Sequence, residues 1–152
     1  MSLATAGELR SAALLRLLAL ALAPPTPGSI AAAIDLAGAL DEDSTDIDVG
    51  LLAGALERAG ATGLVAAHHR LFGGGVTVAP YESSYELDPF RQARVMADVA
   101  GFYRAFGAEA HGPAAERPDH AGTELEFLGL LAERRVAALD DGDAETAERI
   151  RE

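Results

Sequence analysis

Cysteine and lysine are both missing from these 152 residues. Without cysteine there is no disulfide framework, no thiol nucleophile and no zinc site that needs thiolates. A cysteine-free chain fits the cytoplasm. Without lysine there is no phosphate loop of the kind that closes on Lys-Ser/Thr, so Gly73-Gly74-Gly75 reads as a helix stop followed by a turn. Basic residues are scarce altogether, 12 against 24 acids, for a net charge of −12. That balance argues against a nucleic-acid partner, which needs a basic patch to displace counterions from phosphates. It favours solubility or a cationic partner. At 49% hydrophobic residues the chain is too apolar for intrinsic disorder. Its 15.7 kDa make one domain, residues 1–152, able to bury roughly 70% of the surface its unfolded form exposes.

Long apolar runs are missing too. Leu17–Ala23 is the N-terminal candidate, and it falls far short of the ~20 residues that cross a bilayer. No membrane span is expected. Arg10 and Arg16 ahead of this run, with small residues at its end, have the outline of a secretory signal. Glu8 in the would-be basic region and the shortness of the apolar core argue for a helix instead. In that helix Leu14, Leu15, Leu18 and Leu22 form an apolar stripe, and Pro24-Pro25 stops it.

Alanine and leucine dominate and β-branched alternation is scarce, so an all-α bundle of about six helices is predicted. Ser29 is placed to cap a helix running to Leu40 after the turn at Pro27-Gly28. Beyond the acidic stretch 41–46, Val49, Leu52, Leu56 and Ala59 share a helix face. Gly60 and Gly63 weaken that helix, which resumes through Leu64, Val65, His68, Leu71 and Phe72. Residues 76–80 look extended. From Pro89 to Phe106, apolar residues repeat at 3 and 4, and Gly107 is the expected C-terminal cap. Asp119 is placed to cap the next helix, whose predicted inner face is Ala121, Leu125, Leu128, Ala132, Val136 and Leu139. Asp140–Asp143 breaks that helix before a charged last one.

The residues alone show no convincing active site. A metal set drawn from His68, His69, His111, Asp119, His120 and Glu124 reduces to His120 and Glu124, which can share a helix face but make only two ligands. Ser83 and Ser84 lack the Gly-x-Ser-x-Gly elbow of a hydrolase. Glu82 and Glu86 are a weak carboxylate pair. Six acids lie between Asp35 and Asp48, and another six between Asp140 and Glu152. Such runs are usually solvated faces, though they can also steer a basic peptide toward an apolar groove.

Two ordered stretches go beyond composition. One is Leu71-Phe72-Gly73-Gly74-Gly75 followed by Ala79-Pro80-Tyr81-Glu82-Ser83-Ser84-Tyr85. The other is Glu116-Arg117-Pro118-Asp119-His120 leading to Glu124-Leu125-Glu126-Phe127-Leu128. With Phe102-Tyr103 and Phe106-Gly107 between them, they resemble the TorD/DmsD/NarJ family of redox-enzyme (molybdoenzyme) maturation chaperones, most clearly over residues 64–139. The resemblance implies an all-helical cytoplasmic chaperone without catalytic activity or a cofactor of its own. It would bind the twin-arginine signal peptide or N-terminal region of a molybdenum-containing oxidoreductase subunit until cofactor insertion and assembly are complete. It also implies that Tyr81, Glu82, Tyr85, Asp119 and His120 lie where the family contacts its peptide.

Those roles are chemically reasonable for a peptide with a basic head and an apolar tail. Glu82 and Asp119 can accept guanidinium hydrogen bonds, and Tyr81 and Tyr85 offer faces and hydroxyls. Packing roles for the tyrosines and a capping role for Asp119 are equally open. Family members usually continue for several dozen residues beyond the point corresponding to Glu152, with further apolar helices that complete the bundle. Uncovered apolar faces favour association, so a homodimer, with exchanged helices as one route to it, is expected. The competing expectation is a helical interaction or dimerisation domain without peptide-chaperone activity.

Overall fold

The computed structural model describes residues 3–41, 49–73, 79–110 and 116–151. Among these residues six α-helices follow in chain order: α1 Leu3–Leu22, α2 Pro27–Asp41, α3 Val49–Phe72, α4 Pro89–Ala105, α5 Ala121–Asp140 and α6 Ala144–Arg151. A short 3₁₀ turn, Glu82–Tyr85, precedes α4. The all-helical expectation holds. The expected extended stretch lies mostly outside the described residues, as does most of the first acidic cluster.

Helix boundaries follow local chemistry. Thr26, not Ser29, caps α2: its hydroxyl accepts the Ser29 N–H at 3.1 Å, while the Ser29 hydroxyl accepts the Thr26 N–H at 2.8 Å. This reciprocal box sits ahead of Pro27, whose fixed φ suits the first helical position. Asp88 caps α4 by accepting the Phe90 N–H at 2.9 Å. At the other end Gly107, at φ 64, closes α4 as expected, with Ala108 N–H returning to the Tyr103 carbonyl at 2.9 Å. Gly60 has φ 60 and ψ 174, so α3 kinks there, where a side chain would be strained. By length and composition α3 matches a membrane span, but it kinks at Gly60 and turns Leu52 and Leu56 toward a protein core.

Two apolar clusters hold the helices. In the first, Leu17 of α1 meets Ala33, Ala37 and Leu40 of α2 and Val49 of α3. In the second, Tyr103 of α4 packs on Phe127 and Leu131 of α5, with Ile150 of α6 against them. The Tyr103 and Phe127 ring centroids are 4.4 Å apart. Each fully buried leucine or phenylalanine adds roughly 1.5–3 kcal/mol.

The predicted inner faces of α1 and α5 are rotated from the observed ones. Leu18 is 51% exposed, Leu128 47% and Leu139 37%, while Ala12, Ala19, Gly122, Gly129, Phe127 and Leu131 are buried; Val136, on the predicted face of α5, is buried as expected. Each helix packs on more than one side, and their mutual contact uses the smallest residues. A Cβ on Gly129 would stand 3.4 Å from the Ala12 carbonyl oxygen, and one on Gly122 3.3 Å from that of Ala19. Ala12 opposite Gly129 and Ala19 opposite Gly122 give an antiparallel pair with a seven-residue repeat. Arg135 of α5 pairs with Glu8 of α1 beyond this seam.

Overpacking the seam tests it. Gly129→Leu is expected to cost about 1–3 kcal/mol in urea unfolding, because the longer side chain wedges α1 from α5. Gly129→Ala, whose Cβ makes ordinary contact, is expected to cost little, helped by alanine's helix propensity.

Candidate functional site

The two motif stretches meet in space. An isolated antiparallel bridge joins Tyr81 to His120. Ala121 N–H donates to the Pro80 carbonyl at 2.8 Å, and Glu82 N–H to the Asp119 carbonyl at 2.9 Å. This clip fastens the segment from Ala79 and the 3₁₀ turn to the start of α5. Tyr103 adds a third strut, its hydroxyl donating to the Pro118 carbonyl at 2.7 Å.

Asp119 sits at the centre and is fully buried. Arg117 grips it with both ends of its guanidinium, Nε to Oδ1 at 3.1 Å and Nη2 to Oδ2 at 2.9 Å. Ser83 N–H donates to Oδ2 at 3.1 Å, and Arg117 Nη2 also reaches the Ser83 Oγ at 2.6 Å. Burial alone would push the Asp119 carboxyl up. The Ser83 and Arg117 hydrogen bonds and the Arg117 charge together outweigh that, so it lies below the usual carboxylate range. Asp119 therefore does not cap α5, which is the work of its neighbour. His120 Nδ1 accepts the Gly122 N–H at 3.0 Å, which assigns the neutral ring's proton to Nε2. Burial holds the His120 pKa below the ordinary histidine value, and the nearby His68 charge adds to this against the opposing pull of Glu116 and Asp119.

The other motif residues surround this lock. The Arg117 guanidinium lies 4.5 Å from the Tyr81 ring centroid, and the His120 ring meets Tyr81 edge-on at 5.1 Å. The Tyr81 hydroxyl donates to Glu116 Oε1 at 3.2 Å. Burial, followed by the Glu116 charge, raises the phenol's pKa. Tyr85 is 66% exposed, and its hydroxyl donates to the Ala79 carbonyl at 3.0 Å. Glu82 is exposed. It stands near Glu124, whose carboxyl is pushed up first by burial and then by the Glu82 and Asp119 charges. Of the metal candidates, His111 lies outside the described residues, and no three His, Asp or Glu side chains group as ligands among the described ones. Ser83 is buried, with its N–H and hydroxyl engaged in the lock.

His120 also faces a groove of about 830 Å³ that runs along α1 and α5. Among the described residues lining it, Glu109, Glu116, Glu126 and Glu133 face a single arginine, Arg16, which pairs with Glu133 at 3.3 Å. Leu20, Phe127 and Leu130 supply apolar walls. Sequence reasoning singled out none of these glutamates as site residues. The available signal was the spacing of Thr123, Glu126, Leu130 and Glu133, a half-polar stripe down one face of α5.

Two measurements check the lock and the cap. Arg117→Ala leaves the Asp119 carboxylate buried with only Ser83 donating. Because Arg117 is 43% exposed and partly screened, a loss of about 1–3 kcal/mol is expected at neutral pH. A depressed carboxyl contributes fully above its unfolded pKa of about 3.9 and loses that contribution as pH falls through the folded value, so wild type and variant should converge in acid. His120 is a depressed base, so the unfolded chain takes up its proton first and wild-type stability should fall as pH drops below about 6.5. His120→Asn keeps a capping side chain and should flatten that slope in a pH series of urea melts.

Comparison with known proteins agrees with this architecture. A crystal structure described as that of a redox enzyme maturation protein from Archaeoglobus fulgidus superimposes with a TM-score of 0.63. The match covers 92% of this chain and 89% of that one at 21% identity, which establishes the fold. A selenate reductase assembly chaperone protein of Thauera selenatis is 40% identical over 74 residues, 48% of this chain and 38% of that protein. This chain thus matches well under half the length of that curated relative. The nitrate reductase delta subunit family matches residues 39–152, three quarters of the chain, and the chain belongs to that family, within the TorD/DmsD/NarJ group of redox-enzyme maturation chaperones.

Proposed function

We propose that this protein is a maturation chaperone that holds the twin-arginine signal peptide or N-terminal region of a molybdoenzyme subunit in the groove between α1 and α5, before cofactor insertion and export. The observation that carries this reading is the groove's chemistry: four carboxylates and one guanidinium around apolar walls, with the motif residue His120 on its edge. A cationic, partly apolar segment complements it in charge and surface. His120 lines the groove, Tyr81 packs edge-on against His120, Glu82 and Tyr85 are exposed on the segment that the bridge fastens to it, and Asp119 acts through the geometry it imposes on them. The chaperone acts in the cytoplasm without catalysis and without a cofactor of its own. Leu51 and Val65, 65% and 50% exposed on either side of the α3 kink, are apolar side chains for a second copy of the chain to cover in a homodimer.

A second reading draws on the Asp119 lock. A carboxylate wholly occupied by its own chain is what remains when a recognition motif survives only as packing in an interaction or dimerisation domain. Under that reading, Tyr81→Ala would lower the melting temperature and leave maturation of a client reductase unchanged.

Isothermal titration with a twin-arginine peptide at two salt concentrations decides between them. Salt-weakened, saturable binding is expected, and Glu126→Lys should weaken it about tenfold, equivalent to about 1.4 kcal/mol. A folded protein that binds no such peptide at either salt concentration would sink the chaperone reading.

A further inference from the structure

A second opening lies on the other side of α1, between α1, α2 and α3, with a cavity of about 170 Å³. Its walls include Leu17, Leu52, Leu56, Leu64 and Phe72, and no charged residue lines it among those described. Its two polar side chains are already engaged. Ser29 closes the cap with Thr26, and His68 Nε2 bonds the Leu22 carbonyl at 3.2 Å. The acidic groove and this apolar cavity share Leu20 and Ala23 as lining residues, with Pro24 on the groove side and Pro25 on the cavity side. The end of α1 is thus a saddle between an acidic opening and an uncharged one. His68 and His120 line opposite openings.

Size decides what the uncharged opening can take. A dry cavity of about 150 Å³ lined by aliphatic and aromatic side chains accepts one benzene-sized group. At about 170 Å³ the present cavity suits one large apolar side chain, not a helix or an extended apolar segment. We propose that the two openings form one bipartite peptide site, in which the α1–α5 groove takes a cationic segment and the α1–α2–α3 cavity takes a single leucine- or phenylalanine-sized anchor from the same peptide, the chain crossing the saddle at Ala23–Pro25. This rests on the peptide-binding reading above and adds to it a specificity determinant: charge alone is insufficient for full affinity, and an apolar anchor at a fixed distance from the charges is required. With no carboxylate among the described residues that line it, the cavity discriminates against a second basic stretch, which would enter it without a partner.

The test uses the full chain and fluorescence anisotropy with two labelled peptides. Both carry the same paired arginines, and one has leucine where the other has serine, a few residues toward the C-terminus. Wild type is expected to bind the leucine peptide about tenfold more tightly. Ala67→Phe, which fills the cavity from α3, should erase that preference while leaving the serine peptide's affinity unchanged. Leu71→Glu, at a position 61% exposed and so tolerant of charge, should do the same and serves if the first variant misfolds. Glu126→Gln should weaken both peptides equally. A wild type that binds both peptides alike, or a leucine preference that survives in both cavity variants, overturns the bipartite site while leaving the groove reading intact. No binding of either peptide to folded wild type overturns the groove reading as well.

Discussion

The close approach of α1 to α5 is the constraint on which the rest of the molecule depends. Where Ala12 faces Gly129 and Ala19 faces Gly122, the backbone of one helix rests against the other with almost no side chain between. Dispersion is strongest at such contact distances, and small residues lose little side-chain entropy on burial. The seam also fixes the relative rotation of the two helices. It turns Leu17 toward α2 and α3, and Phe127 and Leu131 toward α4 and α6, so each helix serves two neighbours. Both openings described above lie at the C-terminal end of α1.

A buried charge performs the second structural task. Asp119 is out of contact with water, and its cost is met by two guanidinium bonds and one backbone N–H. An isolated carboxylate in that position would be too costly to keep ionised. Because its donors come from Ser83 in the 3₁₀ turn and from Arg117, two residues before it, the carboxylate joins two chain segments more than 30 positions apart. The same Arg117 lies over Tyr81, whose hydroxyl turns toward Glu116. The Asp119 lock thus sets the posture of the neighbouring aromatic and acidic groups, which face outward. His120 completes the arrangement by capping α5 with one ring nitrogen, a neutral ring being favoured by burial.

Much of the fold was legible along the chain. Helix ends are governed by residues within a turn of the end, and Pro24-Pro25, Pro89, Gly107 and Asp140–Asp143 mark boundaries close to those observed. The caps lie one residue or one turn from the expected ones for two different reasons. Thr26 and Ser29 bond each other within a single turn, so either hydroxyl suits the cap locally, whereas Asp119 is drawn away by Ser83, far along the sequence, and leaves the cap to His120. The five candidate site residues were legible only as an ordered motif. Their partners Arg117 and Ser83 sit in the same two stretches, but neither spacing nor composition shows which side chain meets which across 34 positions.

The amino-acid sequence by itself determined the helical class, the stops and glycine turns, the acidic excess, and membership of a family through two short motifs in a fixed order. These are local or additive properties, encoded by backbone preference, periodicity and charge count. Tertiary structure alone decided which face of each helix is inside. A leucine stripe and a stripe of alanine and glycine compete on the same helix, and the winner depends on how closely a partner helix can approach. It also decided that Asp119 holds the two motif stretches together from within while Glu109, Glu116, Glu126 and Glu133, scattered along the chain, come to line one groove. Burial and convergence depend on several helices at once, and no window of sequence contains them.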